Sequence, residues 1–272
     1  MWIGSPLRGA FRLASYLLLT LLLLPIHLLA LSFGLRAVVN RLPVLYHRTV
    51  CFILGIRVRV HGKRSELTPT LFVCNHVSYL DVEVLGGLVP GSFVAKAEVA
   101  TWPFYKTLAK AQRTIFIERT SAKTSVSRDE MMKRLDTGDN LMLFPEGTSS
   151  DGTRVLPFRT ALFSVAQLRR DGKPIVVQPV AISYTRLDGI PLGRYWRPLF
   201  AWFGDLDFVP HLWQMVCLGE TEAVVTFFPP VDIDQFGDRK KLAEFCFRQV
   251  SSGVQAANTG RLELLPPPAE AA

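Results

Sequence analysis

The segment from Pro69 to Asp81 reads "PTLFVCNHVSYLD", and it predicts the fold of the surrounding chain. Its first half, "TLFVC", is a short continuous apolar run of the kind that forms a buried strand. The continuation "VSYLDVEVLGGL" is typical of a helix that ends at glycines. Between the two stand His76 and, five residues further on, Asp81. A strand, a polar loop and a helix in this order indicate an α/β domain whose site lies beyond the strand ends.

Three more strand-like runs of the chain also end in polar residues. Lys96 follows "SFVA", Arg119 follows "TIFIE", and Glu146, Gly147 and Thr148 follow "LMLFP". Each of these residues alone has an ordinary explanation as a solvated charge or a turn. Their recurrence at several strand ends favours one shared site, because loops at the same edge of a sheet bring distant residues together.

The spacing of His76 and Asp81 permits a catalytic pair without requiring one. On an ideal helix five residues correspond to roughly 140° of rotation, so the two side chains do not share a face. If His76 precedes the first helical turn, its ring can fold back toward Asp81. A carboxylate bound to one ring nitrogen fixes the tautomer and leaves the other nitrogen as a base. His76 and Asp81 are also compatible with a purely structural role, as polar residues at the end of a strand.

Four short blocks resemble the conserved blocks of the 1-acylglycerol-3-phosphate acyltransferases and their glycerolipid relatives. They are "NHVSYLD" (NHxxxxD), "FIER" (FxxR), "FPEGTSS" (FPEGTRS) and the proline-centred "VQPVAI", in this order between Asn75 and Ile182. The resemblance implies an α/β fold with a mixed sheet flanked by helices, and an N-terminal hydrophobic, membrane-associated helical segment. It also implies transfer of a fatty acyl group from acyl-CoA or acyl-ACP, with no other cofactor.

The resemblance also suggests roles for individual residues. In that family the histidine deprotonates the acceptor hydroxyl and the aspartate orients it, roles that fall here on His76 and Asp81. The hydroxyl attacks the acyl thioester directly, with no acyl-enzyme. The acceptor phosphate is expected near Arg119, with Lys96 in support, because both are cations that bind phosphate. Beside them the resemblance places Glu146, which accepts a hydrogen bond from glycerol or holds a cation, and it also places Gly147 and Thr148.

The third block departs from the family pattern at one position. The usual arginine after EGT is Ser149 here, which removes a phosphate contact that Arg154 or Arg159 can replace. We expect 1-acylglycerol-3-phosphate as the acceptor, acylated at its sn-2 hydroxyl to give phosphatidic acid. Lyso-ornithine lipid, which has no phosphate and is acylated by some bacterial relatives, is the alternative acceptor.

Two other classes of function compete with acyl transfer. A lipid or thioester hydrolase would need a nucleophile such as Ser78, Ser149 or Ser150, but the chain contains no G-x-S-x-G elbow. A non-catalytic membrane protein would leave the polar residues at the strand ends unexplained. Acyl transfer is therefore the favoured interpretation.

The N-terminal quarter of the chain carries all of its excess positive charge. Residues 1–64 contain nine Lys or Arg and no Asp or Glu, whereas the remaining chain carries 22 basic and 23 acidic residues. The 23 residues from Leu13 to Leu35 contain no charge, and about 20 apolar residues can span a bilayer core. Pro25 and His27 interrupt this run, so a kinked span and a helical hairpin in one leaflet both stay open.

These patterns predict three parts and one location. Residues 1–56 are expected to anchor the chain, 57–260 to form the acyltransferase domain, and 261–272 to be a disordered tail. Basic residues beside an apolar anchor suit an anionic lipid surface, so membrane lipids rather than nucleic acid are the expected partners. We expect the protein at the cytoplasmic face of the inner membrane. The four cysteines show no metal-type spacing, and no metal site is predicted.

Overall fold

The computed structural model describes residues 3–96, 111–117 and 124–265. The helices in this part of the chain are α1 (Pro6–Ser32), α2 (Arg36–Leu54), α3 (Leu80–Gly86), α4 (Thr124–Asp136), α5 (Phe208–Cys217) and α6 (Arg239–Thr259). The strands are β1 (Ile56–His61), β2 (Thr70–Cys74), β3 (Ser92–Lys96), β4 (Ile115–Ile117), β5 (Leu141–Leu143), β6 (Arg169–Arg170), β7 (Lys173–Pro174), β8 (Val176–Leu187), β9 (Ile190–Pro191) and β10 (Thr221–Phe227). Short 3₁₀ helices cover Thr160–Gln167, Arg197–Leu199, Ile233–Gln235 and Leu262–Leu264.

The main sheet is mixed, as the sequence predicts. Its order is β1-β10-β8-β2-β5-β3-β4, with β9 added on β8. Strands β8, β2, β5, β3 and β4 are parallel to one another, whereas β10 is antiparallel to β8 and parallel to β1. The carboxyl ends of β2, β3, β4 and β5 therefore meet at one edge, and the four predicted polar segments follow those ends.

Both faces of the central strands are buried, which explains their continuous apolar runs. All five residues of β2 are buried. Leu71 and Val73 belong to one core cluster, and Phe72 and Cys74 belong to the cluster on the opposite face, as the alternation of side chains along a strand requires. Helix α6 packs against β8 on the Leu71 side, whereas α2 and α3 lie on the Phe72 side. The expected α/β class with helices on the sheet is confirmed.

Helices α1 and α2 form an antiparallel pair, called here the apolar hairpin, that turns at Gly34 with φ of +65°. Pro6 stands in the first turn of α1, where a missing N–H costs nothing. Helix α1 is long and apolar enough to cross a membrane, and it is the one such helix in the described residues. Large side chains such as Leu21 and Phe33 are exposed on it.

The inner face of α1 makes polar contacts with the α/β body in both halves of the helix. Near its start, Arg12 donates to the carbonyl oxygens of Val216 in the last turn of α5 and of Leu218 just after it, at 3.3 and 2.7 Å. Near its end, His27 Nε2 lies 2.9 Å from the carbonyl oxygen of Ala111. The polar His27 in an apolar run is therefore explained by a contact that faces the protein.

Some segments differ from the sequence prediction or lie outside the described residues. Helix α5 is not predicted, because "FVPHLWQMVC" has a proline at its third position and a short apolar pattern without a clear period. The stretch "WPFYKTLAKA" is typical of an amphipathic helix opened by a proline, and it lies almost wholly in the undescribed 97–110 range. In the predicted tail, Leu262–Leu264 form a 3₁₀ turn, and residues 266–272 lie outside the described part.

Candidate active site

The loop between β2 and α3 brings His76 and Asp81 into contact. His76 precedes α3, and Asp81 stands in the first turn of that helix. His76 Nδ1 lies 2.8 Å from Asp81 Oδ2. Because an ionised carboxylate only accepts hydrogen bonds, Nδ1 is the donor and Nε2 carries the free lone pair. The His76 ring stacks on Phe144 with ring centroids 4.3 Å apart, which holds its plane.

Asp81 is fully buried, and its carboxylate accepts four hydrogen bonds in total. Oδ2 also accepts from the backbone N–H groups of Val77 and Ser78, at 2.7 and 2.9 Å. Oδ1 accepts from the hydroxyl of Tyr184 at 2.9 Å. Burial, followed by the nearby charge of Asp81, raises the pKa of Tyr184 well above its ordinary value, which keeps the hydroxyl a donor. Four donors therefore fix the position and orientation of the Asp81 carboxylate.

Tyr184 is a site residue that the sequence analysis missed. It lies on β8, 103 residues from Asp81 in the chain, two positions after the last residue of the fourth block. Alternate residues of a strand face the same side, so Tyr184 shares the face of Ile182. The available signal is a tyrosine that follows the apolar Val180 and Ile182 on this face, since a buried hydroxyl needs a partner.

The side chain of Asn75 bonds to β8 at the point where the chain leaves β2. Its side-chain oxygen accepts from the N–H of Ile182 at 2.8 Å, and its amide donates to the carbonyl oxygen of Ile182 at 3.0 Å. The side chain of Asn75 thereby satisfies both backbone groups of one β8 residue. The main chain is then able to turn away at His76 without leaving buried polar groups unpaired.

Glu146 is buried and bound on both oxygens by backbone groups. Oε1 accepts from the N–H of His76, and Oε2 accepts from the N–H of Leu156, each at 2.7 Å. Burial raises the pKa of Glu146 to about 8, with a further contribution from Asp81, although the two N–H donors oppose this shift. The carboxyl group therefore holds the His76 loop to the loop after β5.

Gly147 and Thr148 line the site directly after Glu146. Gly147 has φ of +67°, a conformation that glycine adopts without steric cost. A methyl group added there would lie 2.8 Å from Nε of Arg159. The exposed Arg159 thus lies beside Gly147, whereas the charge of Arg154 acts on Asp151 instead.

A cavity of about 440 Å³ connects His76 with the apolar hairpin. One wall consists of hairpin residues, and the others come from the strand ends and from the segment before α5. Representative lining residues are Tyr16, Thr20, Leu24, Tyr46, His47, Glu83, Phe93, Phe144, Trp202 and Phe208. Mostly apolar walls that end at a histidine suit a substrate with a long hydrocarbon chain.

Two predicted site residues fall outside what the structure describes. Arg119 lies in the undescribed 118–123 range, and for Lys96 only the backbone, at the end of β3, is described. The candidate nucleophile Ser78 is fully buried, so its hydroxyl does not face the cavity. Within the described residues no group of His, Cys, Asp and Glu has the arrangement of a metal site, and all four cysteines are buried free thiols.

Comparison with known proteins identifies the family. A sequence model named Acyltransferase matches residues 57–183. A lyso-ornithine lipid O-acyltransferase of Brucella abortus is 44% identical over 226 residues, which cover 82% of this chain and 85% of the relative. A 1-acyl-sn-glycerol-3-phosphate acyltransferase of Neisseria meningitidis is 31% identical over 209 residues, covering 75% and 77%. The chain belongs to the glycerolipid acyltransferase family.

The fold of this acyltransferase has a counterpart among solved structures. The crystal structure of the 1-acyl-sn-glycerophosphate acyltransferase of Thermotoga maritima superposes with a TM-score of 0.57 at 21% identity. It covers 90% of this chain and 96% of the other, so the likeness includes the apolar hairpin as well as the sheet. Its family membership, rather than this likeness of fold, makes the protein an acyltransferase that moves an acyl group from a donor to a lipid acceptor.

Proposed function

We propose that this acyltransferase is a lyso-ornithine lipid O-acyltransferase. The observation that carries the proposal is its 44% identity to the Brucella abortus enzyme of that name, against 31% to the 1-acyl-sn-glycerol-3-phosphate acyltransferase of Neisseria meningitidis. The motifs alone favoured 1-acylglycerol-3-phosphate, and that lipid is now the second candidate. Ser149 supports the change, because a phosphate-free acceptor does not need the arginine that the block usually carries at this position.

In the proposed reaction His76 is the general base. Its Nε2 takes the proton of the acceptor hydroxyl while the hydroxyl oxygen attacks the carbonyl carbon of the acyl thioester. The tetrahedral intermediate collapses with loss of the thiolate, which takes the proton from the imidazolium. Asp81 holds the ring and balances the charge that forms on it. General-base help of this kind contributes about 10²–10⁴ in rate.

The same geometry gives Glu146 a different role from the expected substrate contact. Both of its oxygens already accept backbone N–H groups, so we propose that Glu146 positions His76. Gly147 and Thr148 stay the proposed contacts for the acceptor. The contacts proposed for Arg119 and Lys96 rest on the resemblance alone.

Arg159 is the proposed partner of the acceptor head group. An ornithine head group joined to its fatty acid by an amide keeps a carboxylate and an ammonium. Arg159 lies beside Gly147, which lines the cavity, and a guanidinium binds a carboxylate through two parallel hydrogen bonds. Arg159→Gln should lower kcat/KM for lyso-ornithine lipid by roughly 10–150-fold, because a hydrogen bond between charged groups contributes about 1.5–3 kcal/mol. Arg154→Gln is the matched control and should change kcat/KM less than twofold.

We propose that the apolar hairpin enters one leaflet rather than crossing the bilayer. Contacts from Arg12 to His27 join α1 to the α/β body over most of the helix, so the helix cannot leave that body to span a membrane. Exposed leucines on the other face supply the apolar burial, and residues 1–56 act as the anchor of the 57–260 domain. The cytoplasmic face of the inner membrane, where the donor is made, suits this arrangement.

One assay separates the candidate functions. The purified full-length protein is given a labelled acyl thioester together with lyso-ornithine lipid or 1-acylglycerol-3-phosphate. We expect product from lyso-ornithine lipid at least tenfold faster. Preference for the phosphate acceptor would refute the proposed substrate, and release of fatty acid without an acceptor would favour a hydrolase. Running the assay with acyl-CoA and with acyl-ACP identifies the donor.

A further inference from the structure

A buried ion pair joins the apolar hairpin to the helix that carries Asp81. His47 of α2 and Glu83 of α3 lie in contact, with His47 Nδ1 2.7 Å from Glu83 Oε2. Their side chains are 6% and 17% exposed. Removing one partner of such a pair leaves an uncompensated buried charge, which is strongly destabilising. We therefore expect the contact between His47 and Glu83 to persist in the folded protein.

The hydrogen bonds around His47 define its charge. Gln112 donates its amide nitrogen to the carbonyl oxygen of Gly91 at 3.4 Å, so its amide oxygen faces His47 Nε2 at 3.0 Å. An oxygen acceptor on each side makes both ring nitrogens donors, which is the imidazolium form. Glu83 consequently faces a positive charge, and the pair is neutral as a whole.

Two glycines allow α2 to approach α3 closely at the same place. A methyl group added at Gly86 would lie 2.5 Å from Cδ2 of His47, and one at Gly87 would lie 3.2 Å from Cγ of Arg48. Arg48 Nε donates to the carbonyl oxygen of Gly87 at 2.7 Å, which satisfies a carbonyl at the end of α3. The ion pair, the close approach and the arginine thus hold α3 from its middle to its end.

The position of α3 controls the geometry of the proposed base. Asp81 lies two residues before Glu83 on this seven-residue helix, and Asp81 is bonded to His76. A movement of α3 along or about its axis therefore moves the carboxylate that orients the ring. We propose that Glu83 and His47 are positioning residues. Through them, the position of the apolar hairpin on the α/β body determines the geometry of the His76–Asp81 pair. This inference rests on the proposed roles of His76 and Asp81.

The test compares two pairs of similar burial. Glu83→Gln keeps the size of the side chain but removes its charge, and we expect kcat to fall about tenfold with KM for the lysolipid within twofold. Asp139→Asn is the control, because Asp139 lies 2.8 Å from Arg113 with side chains 13% and 20% exposed and neither residue belongs to α2 or α3. It should leave kcat within twofold. A loss at Glu83→Gln that appears in KM, or that Asp139→Asn reproduces, would overturn the proposal.

A double variant tests whether the two residues act as one unit. His47→Gln combined with Glu83→Gln should lose no more kcat than the worse single variant, because the interaction is already absent in each. Additive losses would assign the residues to separate roles and refute the pair. If these proteins do not fold, Arg48→Gln perturbs the same contact more mildly and should lower kcat about threefold; an unchanged kcat counts against the proposal.

Hydrogen exchange provides a readout that does not depend on the acceptor. In Glu83→Gln, amides of residues 80–87 should exchange at least tenfold faster than in the unmodified protein, with β2 and β8 unchanged. Asp139→Asn should leave residues 80–87 protected. If the enzyme used neither lysolipid, the proposed function would fail while this experiment still tested the coupling. Unchanged exchange at 80–87 would refute the coupling even in an active enzyme.

Discussion

The loop after β2 and the apolar hairpin line the same cavity, but different kinds of interaction stabilise them: hydrogen bonds in the loop and apolar burial in the hairpin. In the loop, side chains with fixed partners hold every functional group, as the four donors on Asp81 and the two on Glu146 illustrate. The outer face of the hairpin has exposed leucines and no specific partner in the described structure. Directional hydrogen bonds suit chemistry at one atom, whereas non-directional apolar burial suits contact with a fluid lipid phase. The two regions should therefore respond to different substitutions.

His76→Ala should separate the two regions most clearly. Without the base, acyl transfer should fall by at least about 100-fold, while binding to vesicles stays unchanged. Transfer is measured with labelled donor, and binding by flotation with liposomes. Turnover close to that of the unmodified enzyme in a folded His76→Ala protein would remove the proposed base.

Charges on the hairpin should give the reverse result. Leu21→Glu combined with Ile26→Glu should lower partition into liposomes by at least about 100-fold, because each charge moved into the apolar phase costs up to about 2.5–3.5 kcal/mol, the value at the centre of a spanning helix. Turnover of monomeric short-chain acceptor in detergent should change little. Ile190→Glu is a matched control, since Ile190 is 70% exposed and Leu21 is 72% exposed but Ile190 lies outside the hairpin. Equal loss of liposome binding in the control would argue against a specific role of the hairpin.

Glu146 makes the stability of the loop after β2 depend on pH, because its carboxyl group accepts the N–H of His76 in that loop. Its pKa of about 8 in the folded protein lies above the value of 4.5 that applies when it is solvated. The protonated carboxyl group of Glu146 makes its full contribution to stability below pH 4.5. This contribution declines as pH rises toward about 8, because the unfolded chain then loses the proton that the folded protein keeps. Between these limits the unfolding free energy should fall by up to about 1.4 kcal/mol per pH unit.

The measurement is thermal or denaturant unfolding from pH 5 to pH 9. Glu146→Gln should be less stable than the unmodified protein at pH 5, because the NH2 group of the glutamine then faces a backbone N–H group and neither can accept a hydrogen bond from the other. Its stability should then vary less with pH. An identical slope in both proteins would show that Glu146 is already ionised throughout this range.

Tyr184→Phe should have the smallest effect. It removes one of the four hydrogen bonds to the Asp81 carboxylate, and the remaining three still orient it. We expect kcat to fall about fivefold, corresponding to a net hydrogen bond of about 1 kcal/mol. Tyr195→Phe, at an exposed tyrosine, should leave kcat unchanged. A loss as large as that of His76→Ala would mean that Tyr184 acts on the substrate itself.

Features of the fold and site that depend on neighbouring residues could be predicted from the sequence, whereas those that depend on distant partners could not. Local patterns predicted β2 and its sheet, because neighbours in sequence determine strand, loop and helix start. They permitted the contact of His76 with Asp81, which the family resemblance implied. Tyr184 and Glu83 were missed, since their partners lie on other elements and no local pattern connects them. The positioning role proposed for Glu146 was not foreseen, because its acidic side chain suggested a ligand contact while its partners are backbone groups. Helix α5 gave no periodic signal.

The contact between Arg12 and Leu218 has a consequence for biosynthesis. The two residues are 206 positions apart in the chain, so the hairpin leaves the ribosome long before its docking site on the α/β body exists. Translation at about 5–20 residues per second separates them by at least roughly 10 seconds. During that interval a lipid surface is the environment able to cover the exposed leucines. We therefore propose that membrane insertion precedes completion of the sheet, so that the catalytic half folds while the hairpin already tethers it to a bilayer.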